Sequence, residues 1–161
     1  MSLTRDYSPS GDPKPLGGYA ILTGVFAGSV ASYGAVRRHQ GWELPERVGL
    51  GDTMLLSVAA YKLSRLITKD RVTSFARAPF TRFEEEAGPA EVSEVARGQG
   101  LRRAVGELAI CPYCVGQWVA AGLVASYIRD PGSTRSVASV FAVLAASDVF
   151  NQAWIALQER T

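Results

Sequence analysis

Two cysteines in the tetrapeptide CPYC, residues 111–114, are the residues with the clearest chemical potential in this sequence. Two thiols three positions apart can form a reversible disulfide or give two thiolate ligands to a metal ion. A structural zinc ion or an iron–sulfur cluster ordinarily takes four protein ligands, so one chain would supply half of such a site. Cys111 and Cys114 are therefore the candidate redox or metal-binding residues.

The rest of the sequence does not point to a known catalytic site. CPYC matches the active-site tetrapeptide of glutaredoxins, but that fold needs a strand before the motif and a βαβ framework, which this sequence does not predict. The sequence contains no G-x-S-x-G, H-E-x-x-H or P-loop pattern. The sequence therefore predicts no catalytic residue, favours a protein that is not an enzyme, and does not indicate any cofactor.

Long stretches of low charge must position the two cysteines. A membrane span takes about 20 predominantly apolar residues, with a lower limit near 17. A soluble helical bundle is the alternative, but its helices would carry polar residues at every third or fourth position, which the first stretch lacks. The sequence predicts an all-α integral-membrane bundle of about four transmembrane helices in a single domain, 1–161. The predicted spans are 17–36, 50–67, 112–128 and 137–157.

Lysine and arginine residues are distributed unevenly among the polar segments. More of them lie on the cytoplasmic side if the N-terminus is cytoplasmic, as the positive-inside rule requires. Both termini and the connection 68–111 are therefore expected in the cytoplasm, where reductants would keep Cys111 and Cys114 as free thiols. The formal net charge is +2, and no basic block is interleaved with aromatic residues, so nucleic acid is not an expected partner.

The first two parts of the connection 68–111 differ in composition. The first mixes cations with phenylalanines, and Arg77, Phe80 and Arg82 are expected to hold it on an anionic membrane surface. A packed cap over the helices is an equal alternative. The second part, 84–100, is acidic and then glycine-rich and is expected to be a mobile, solvated loop.

The last part of the connection leads into the cysteines. Residues 101–110 place apolar side chains at helical spacing opposite charged ones, which predicts an amphipathic interfacial helix. Pro112 disfavours helical geometry at Cys111 and suits the first turn of a new helix. Cys111 is therefore the expected hinge and the expected cap of the third span, whose N-terminal dipole favours a thiolate while burial opposes it.

Several polar side chains fall inside the predicted spans, where hydrocarbon makes them costly. A rise of about 1.5 Å per residue places Lys62, Arg65 and Gln117 near the inner boundary and Asp148 close to the midplane. Asp148 should be protonated, hydrogen-bonded to Asn151 or Gln117, or paired with Lys62. This intramembrane polar cluster is expected to clasp helices together, with proton or ion translocation as the alternative.

Small residues recur every fourth position in three of the predicted spans. Such stripes let helices approach closely, either within one chain or between copies. The expected partners are therefore the lipid bilayer and either a second copy or another membrane protein. The stripes are Gly24, Gly28 and Ser32, then Ala121 and Ala125, then Ala138, Ala142 and Ala146.

Three short patterns follow one another along the chain. They are K-x-x-R-L at 62–66, D-x-V-T at 70–73, and C-P-x-C-x-G-x-W at 111–118. Together they resemble a family of small bacterial integral-membrane proteins of unknown function, one of which is named as a sporulation protein. The resemblance covers roughly residues 50–157. It implies a multi-pass protein of the bacterial cytoplasmic membrane and brings no activity.

These observations favour a non-enzymatic scaffold or interaction subunit of the membrane. No catalytic constellation is visible, and such a role needs none. A membrane thiol-redox protein or a metal-binding protein that uses Cys111 and Cys114 is the alternative.

Alkaline phosphatase fusions test the predicted orientation, because that enzyme is active only outside the cytoplasm. A fusion after Thr161 should be inactive, and a fusion within the connection 129–135 should be active. The reverse pattern would overturn the orientation.

Overall fold

The computed structural model describes Tyr7 and residues 13–160. The N-terminal residues on which part of the predicted topology rests, and Thr161, lie outside this description. Among the described residues a 3₁₀ turn, Arg71–Thr73, follows the second helix, and the other elements are α1 (Leu16–His39), α2 (Leu50–Thr68), α3 (Ser74–Arg77), β1 (Thr81–Gly88), β2 (Glu91–Ala96), α4 (Gly100–Ile110), α5 (Pro112–Arg129) and α6 (Pro131–Gln158).

Among the residues that the structure describes, two helices, α1 and α6, are long and apolar enough to cross a membrane. Taken together, α4 and α5 are also long and apolar enough, although the chain bends by 80° where the two helices meet. Helix α2 falls short because Asp52, Lys62 and Arg65 all lie within it. The prediction of an all-α bundle of about four transmembrane helices is therefore confirmed only in part. The described part of the chain is mostly helical with two candidate membrane-spanning helices, and it also contains a small two-stranded sheet.

Helices α2, α5 and α6 pack together around a small apolar core. Leu56 and Ala59 of α2 meet Tyr127 of α5 and Ala138 of α6, and Phe141 packs against them. Alanine at two of these positions lets the helix backbones approach closely, which is how helices associate without a strong hydrophobic driving force.

An ion pair joins the three helices at the end of this bundle where α5 meets α6. Arg135 donates two hydrogen bonds of 2.7 Å to the carboxylate of Asp52, and the Tyr127 hydroxyl donates a third, of 2.5 Å.

The predicted turn 129–135 is shorter than expected, since Asp130 alone separates α5 from α6. Its side chain accepts a hydrogen bond of 3.1 Å from the backbone N–H of Ser133 and so caps α6.

The prediction of a mobile loop at 84–100 is wrong. Residues Thr81–Gly88 and Glu91–Ala96 pair as an antiparallel hairpin, in which Val92 and Glu94 of β2 point inward and are buried. The strand was hard to recognise because one of its inward positions is a glutamate, so the apolar and polar residues do not alternate as in a half-buried strand.

Arg77 is buried, which contradicts its predicted place on a membrane surface. Its side chain is 3% exposed and is ion-paired with Glu94. The guanidinium also donates to the carbonyl of Ile67 at 2.7 Å and to that of Asp70 at 3.1 Å, so it joins the end of α2 to the hairpin. The alternative of a packed cap describes this residue correctly.

The other residues of the predicted surface loop are more exposed. Arg82 lies exposed on β1, and Phe80 is half-buried, with its carbonyl accepting a hydrogen bond of 2.9 Å from the N–H of Arg97. Large apolar side chains near the end of α2 stand out of the protein, since Val72 is 77% and Phe75 is 80% exposed. The apolar surface of this segment is therefore formed mainly by Val72 and Phe75, and the membrane contact expected of Phe80 and Arg82 stays a prediction.

Replacing Arg77 by leucine should strongly destabilise the junction of α2 and the hairpin, because the charge of Glu94 would stay buried with no opposite charge beside it. Losing one member of a buried pair costs about 3–5 kcal/mol. Unfolding in mixed micelles measures the change in free energy. Arg82→Leu is the matched control on the exposed face and should change it by at most about 0.5 kcal/mol.

A double variant, Arg77→Met with Glu94→Leu, should recover much of the loss, because two apolar side chains can replace a buried pair. Equal and small losses for Arg77→Leu and Arg82→Leu would contradict the buried pair.

Candidate functional site at the bend between α4 and α5

The candidate site begins at the break between α4 and α5. Cys111 has extended backbone angles, φ −103° and ψ 103°, and Pro112 occupies the first turn of α5. Because proline lacks a backbone N–H and crowds the preceding residue, α4 cannot continue through this point. The predicted helix over 101–110 and the predicted hinge at Cys111 are both confirmed.

The two cysteines are brought together by the first turn of α5. Cys111 Sγ accepts a hydrogen bond of 3.2 Å from the N–H of Cys114, so Cys111 caps the helix as predicted. The Cα atoms lie 5.3 Å apart, within the range of about 4.4–6.8 Å usual for disulfides. The structure joins the two sulfur atoms in a disulfide and thus differs from the predicted pair of free thiols.

A cavity of about 480 Å³ lies beside the cysteine pair and is lined by residues of α1, α4 and α5. Pockets that bind small molecules usually measure about 300–1,000 Å³. Both cysteines line the cavity, and the other walls are mostly apolar and aromatic. The remaining lining residues are Tyr19, Leu22, Thr23, Phe26, Ala104, Glu107, Leu108, Gln117 and Trp118.

Polar contacts and one close backbone approach hold α1 against α4. The Tyr19 hydroxyl donates a hydrogen bond to Glu107, whose other oxygen accepts one of 2.9 Å from Arg103. A Cβ atom at Gly18 would lie 2.5 Å from Cβ of Ala104, so only glycine allows this crossing. The predicted small-residue stripe of α1 is not used here, since Gly24 and Gly28 face open space.

Aromatic contacts connect α1 to α5 on the other side of the cavity. The rings of Phe26 and Trp118 meet edge to face, with centroids 5.0 Å apart. Further along, the Tyr33 hydroxyl donates a hydrogen bond of 2.8 Å to the carbonyl of Ala125. Between these contacts α1 stands away from α5 and leaves a second, mainly apolar cavity of about 440 Å³, lined in part by Ser29 and Val30.

The structure divides the predicted intramembrane polar cluster. Lys62 of α2 is paired with Asp148 of α6 at 2.7 Å, which is one of the partners that the sequence left open. Gln117 instead lines the cavity beside the cysteines, and Asn151 is exposed on α6.

Arg65 is directed away from this cluster, to the hairpin. Its Nη2 donates to both carboxylate oxygens of Glu91, at 2.5 and 2.6 Å. The sequence did not indicate this partner, because Glu91 falls in the segment that was predicted to be an unstructured loop.

Sequence reasoning missed Tyr19, Glu107 and Trp118 as parts of the site. Trp118 could have been recognised by its spacing, because residues four positions apart lie on the same face of a helix, as Trp118 does relative to Cys114. Tyr19 and Glu107 are far apart in sequence, and no pattern in the sequence connects them.

Among the described residues, no group of three or more histidine, cysteine, aspartate or glutamate side chains could hold a metal ion.

A family model described as a protein of unknown function, DUF1360, matches residues 55–154, which include the bend, the cysteine pair and the hairpin. The chain belongs to this family. The sequence resemblance to a small family of unknown function is thereby confirmed.

A curated relative is the "Sporulation protein YjcA" of Bacillus subtilis (strain 168), which is 36% identical over 74 residues, or 44% of this chain. The match spans 63% of that protein, somewhat less than two thirds of its length. No solved structure matches the chain.

Gly18→Val should force α1 away from α4, because the new side chain would overlap Ala104 at the wall of the cavity. After reduction of the protein, a maleimide should then label Cys111 several-fold faster. Gly24→Val is the matched control on the same helix, where a Cβ meets nothing within 4 Å, and should leave the rate unchanged. Equal rates in the two variants would contradict the close contact of α1 with α4.

Proposed function

We propose that the chain is a four-span protein of the bacterial cytoplasmic membrane in which Cys111 and Cys114 form a reversible dithiol–disulfide centre. The spans are α1, α2, α5 and α6, both termini are cytoplasmic, and the bend at Cys111 lies at the inner boundary. The bonded cysteine pair at the start of α5, open to a cavity of ligand size, carries this proposal.

The charges of α2 are the main objection to four spans, and their partners answer it. Asp52 is paired with Arg135, Lys62 with Asp148, and Arg65 with Glu91. Pairing greatly lowers the cost of holding a charged side chain in or near hydrocarbon. The packing of α2 against α5 and α6 supports the same conclusion, because a helix that packs along two membrane spans lies in the membrane beside them.

The 80° bend supports the proposed position of the cysteines. If α5 crosses the bilayer, α4 lies nearly in the membrane plane, as an amphipathic helix at the interface does. Cys111 would then stand between the cytoplasm and the inner leaflet. The N-terminal end of α5 favours negative charge, so it would stabilise the thiolate through which disulfide exchange proceeds.

A scaffold or interaction subunit is the second candidate function, and the exposed surface of α6 favours it. Val143, Val149, Phe150 and Trp154 are all largely exposed on this helix. Lipid chains would cover such a surface in a bilayer, and so would a helix of another membrane protein or of a second copy. This role needs no chemistry at the cysteines, so the two candidates differ in what the thiols do.

A redox titration of the full chain in native vesicles separates the two candidates. With increasing oxidant, wild-type protein should lose both thiols together, and a thiol reductant should restore both. Cys111→Ser and Cys114→Ser should each keep one thiol that responds to neither treatment. Alkylation with a mass-shifting maleimide counts the free thiols.

Two other outcomes would contradict a redox centre. Thiols that stay free under every oxidant would leave the scaffold as the function. Thiols that react only after metal chelation would indicate a metal site shared between two chains, because each chain supplies two cysteine ligands.

A further inference from the structure

We infer that the cavity beside the cysteines binds the ring of a lipid-soluble quinone, which oxidises the reduced Cys111–Cys114 pair. This inference rests on the proposed dithiol–disulfide function. The proposed function requires an electron acceptor but does not identify it, and this inference does so.

The walls of the cavity suit a flat, mostly apolar ring. Phe26 and Trp118 form one side at an edge-to-face contact of 5.0 Å, and Leu22 and Leu108 contribute aliphatic surface. Aromatic side chains attract other aromatic rings beyond the effect of burial alone. The volume of about 480 Å³ is sufficient for a substituted ring and the start of its tail.

Polar groups in the same walls suit the oxygens of a quinone. Gln117 and Thr23 line the cavity and carry side-chain donors, which can bond to carbonyl oxygens. Pockets for small molecules commonly combine apolar walls with a few such placed polar groups. A purely apolar lipid chain would leave these donors without partners.

The position of the cavity favours a ligand that arrives from the bilayer. Helix α1 forms one wall, and Ile21 and Val25 on that helix are 52% and 53% exposed on the outside of the protein. In the proposed topology these residues face lipid at the inner leaflet. Thr23 and Cys114, which line the cavity, are also exposed, so a hydrophobic acceptor can reach the cysteines laterally and the cytoplasm can deliver reductant to the same pair.

The chemistry balances with a quinone as oxidant. The two S–H bonds of Cys111 and Cys114 break and one S–S bond forms, so the pair is oxidised by two electrons. The quinone takes up these two electrons, and the two protons end on its two carbonyl oxygens, giving the quinol. A cytoplasmic thiol reductant then returns the disulfide to the dithiol by exchange.

The test uses the full chain, reduced and placed in lipid nanodiscs that contain no quinone. A short-chain benzoquinone is added, and its ultraviolet absorbance and the free thiols are followed together. We expect one quinone consumed per pair, with a rate that saturates as quinone concentration rises.

Two matched variants of α1 locate the binding site. Thr23→Phe fills the cavity beside the cysteines, and Ser29→Phe places the same side chain in the neighbouring cavity. Thr23→Phe should slow quinone oxidation by about tenfold or more, because the new ring occupies the space that the quinone needs and weakens its binding, whereas Ser29→Phe should leave it unchanged. Reduction by dithiothreitol should proceed at the wild-type rate in both variants, which shows that each is folded.

A rate that rises linearly with quinone and is equal in the two variants would overturn the quinone site. So would a phospholipid that copurifies with the wild type, is lost in Thr23→Phe, and leaves the thiols unreactive to quinone. A pair that dithiothreitol and oxidant do not interconvert would instead overturn the proposed function itself.

Discussion

The break at Cys111 and Pro112 is the constraint on which the rest of this structure depends. Proline cannot extend the preceding helix, so the chain turns by 80° and the two helices take different partners. Helix α5 joins α2 and α6 in a bundle, while α4 lies against the start of α1 and against the hairpin. The cysteines stand at the corner, and the cavity is the space that three differently directed helices leave there.

Ion pairs determine how α2 packs against the other helices and the hairpin. Helix α2 is the most polar of the long helices, yet its Asp52, Lys62 and Arg65 each meet an opposite charge on another element. Beyond its end, Arg77 and Glu94 form a buried pair that fixes the hairpin. Such pairs add little net stability but are costly to break, so they specify how α2, α6 and the hairpin meet.

Helix α1 is held more loosely than the bundle. Its contacts concentrate at Gly18 and Tyr19 on α4 and at Phe26 and Tyr33 on α5, with cavities between them. A helix attached at separated points can admit a ligand between itself and its neighbours with little repacking. The family model begins at residue 55, after α1, so this wall of the candidate site is contributed by a part of the chain that the family match does not cover.

The sequence by itself determined the features that depend on neighbouring residues. The long apolar helices, the amphipathic helix at 101–110, the hinge at Cys111 and the family follow from composition, spacing and proline geometry. The tertiary structure alone decided the hairpin, because its strand presents Glu94 inward to Arg77, and that pairing is invisible without the fold. The tertiary structure also decided that Arg65 pairs with Glu91 and that Tyr19 bonds to Glu107 at the wall of the cavity, since these contacts join residues far apart in the chain.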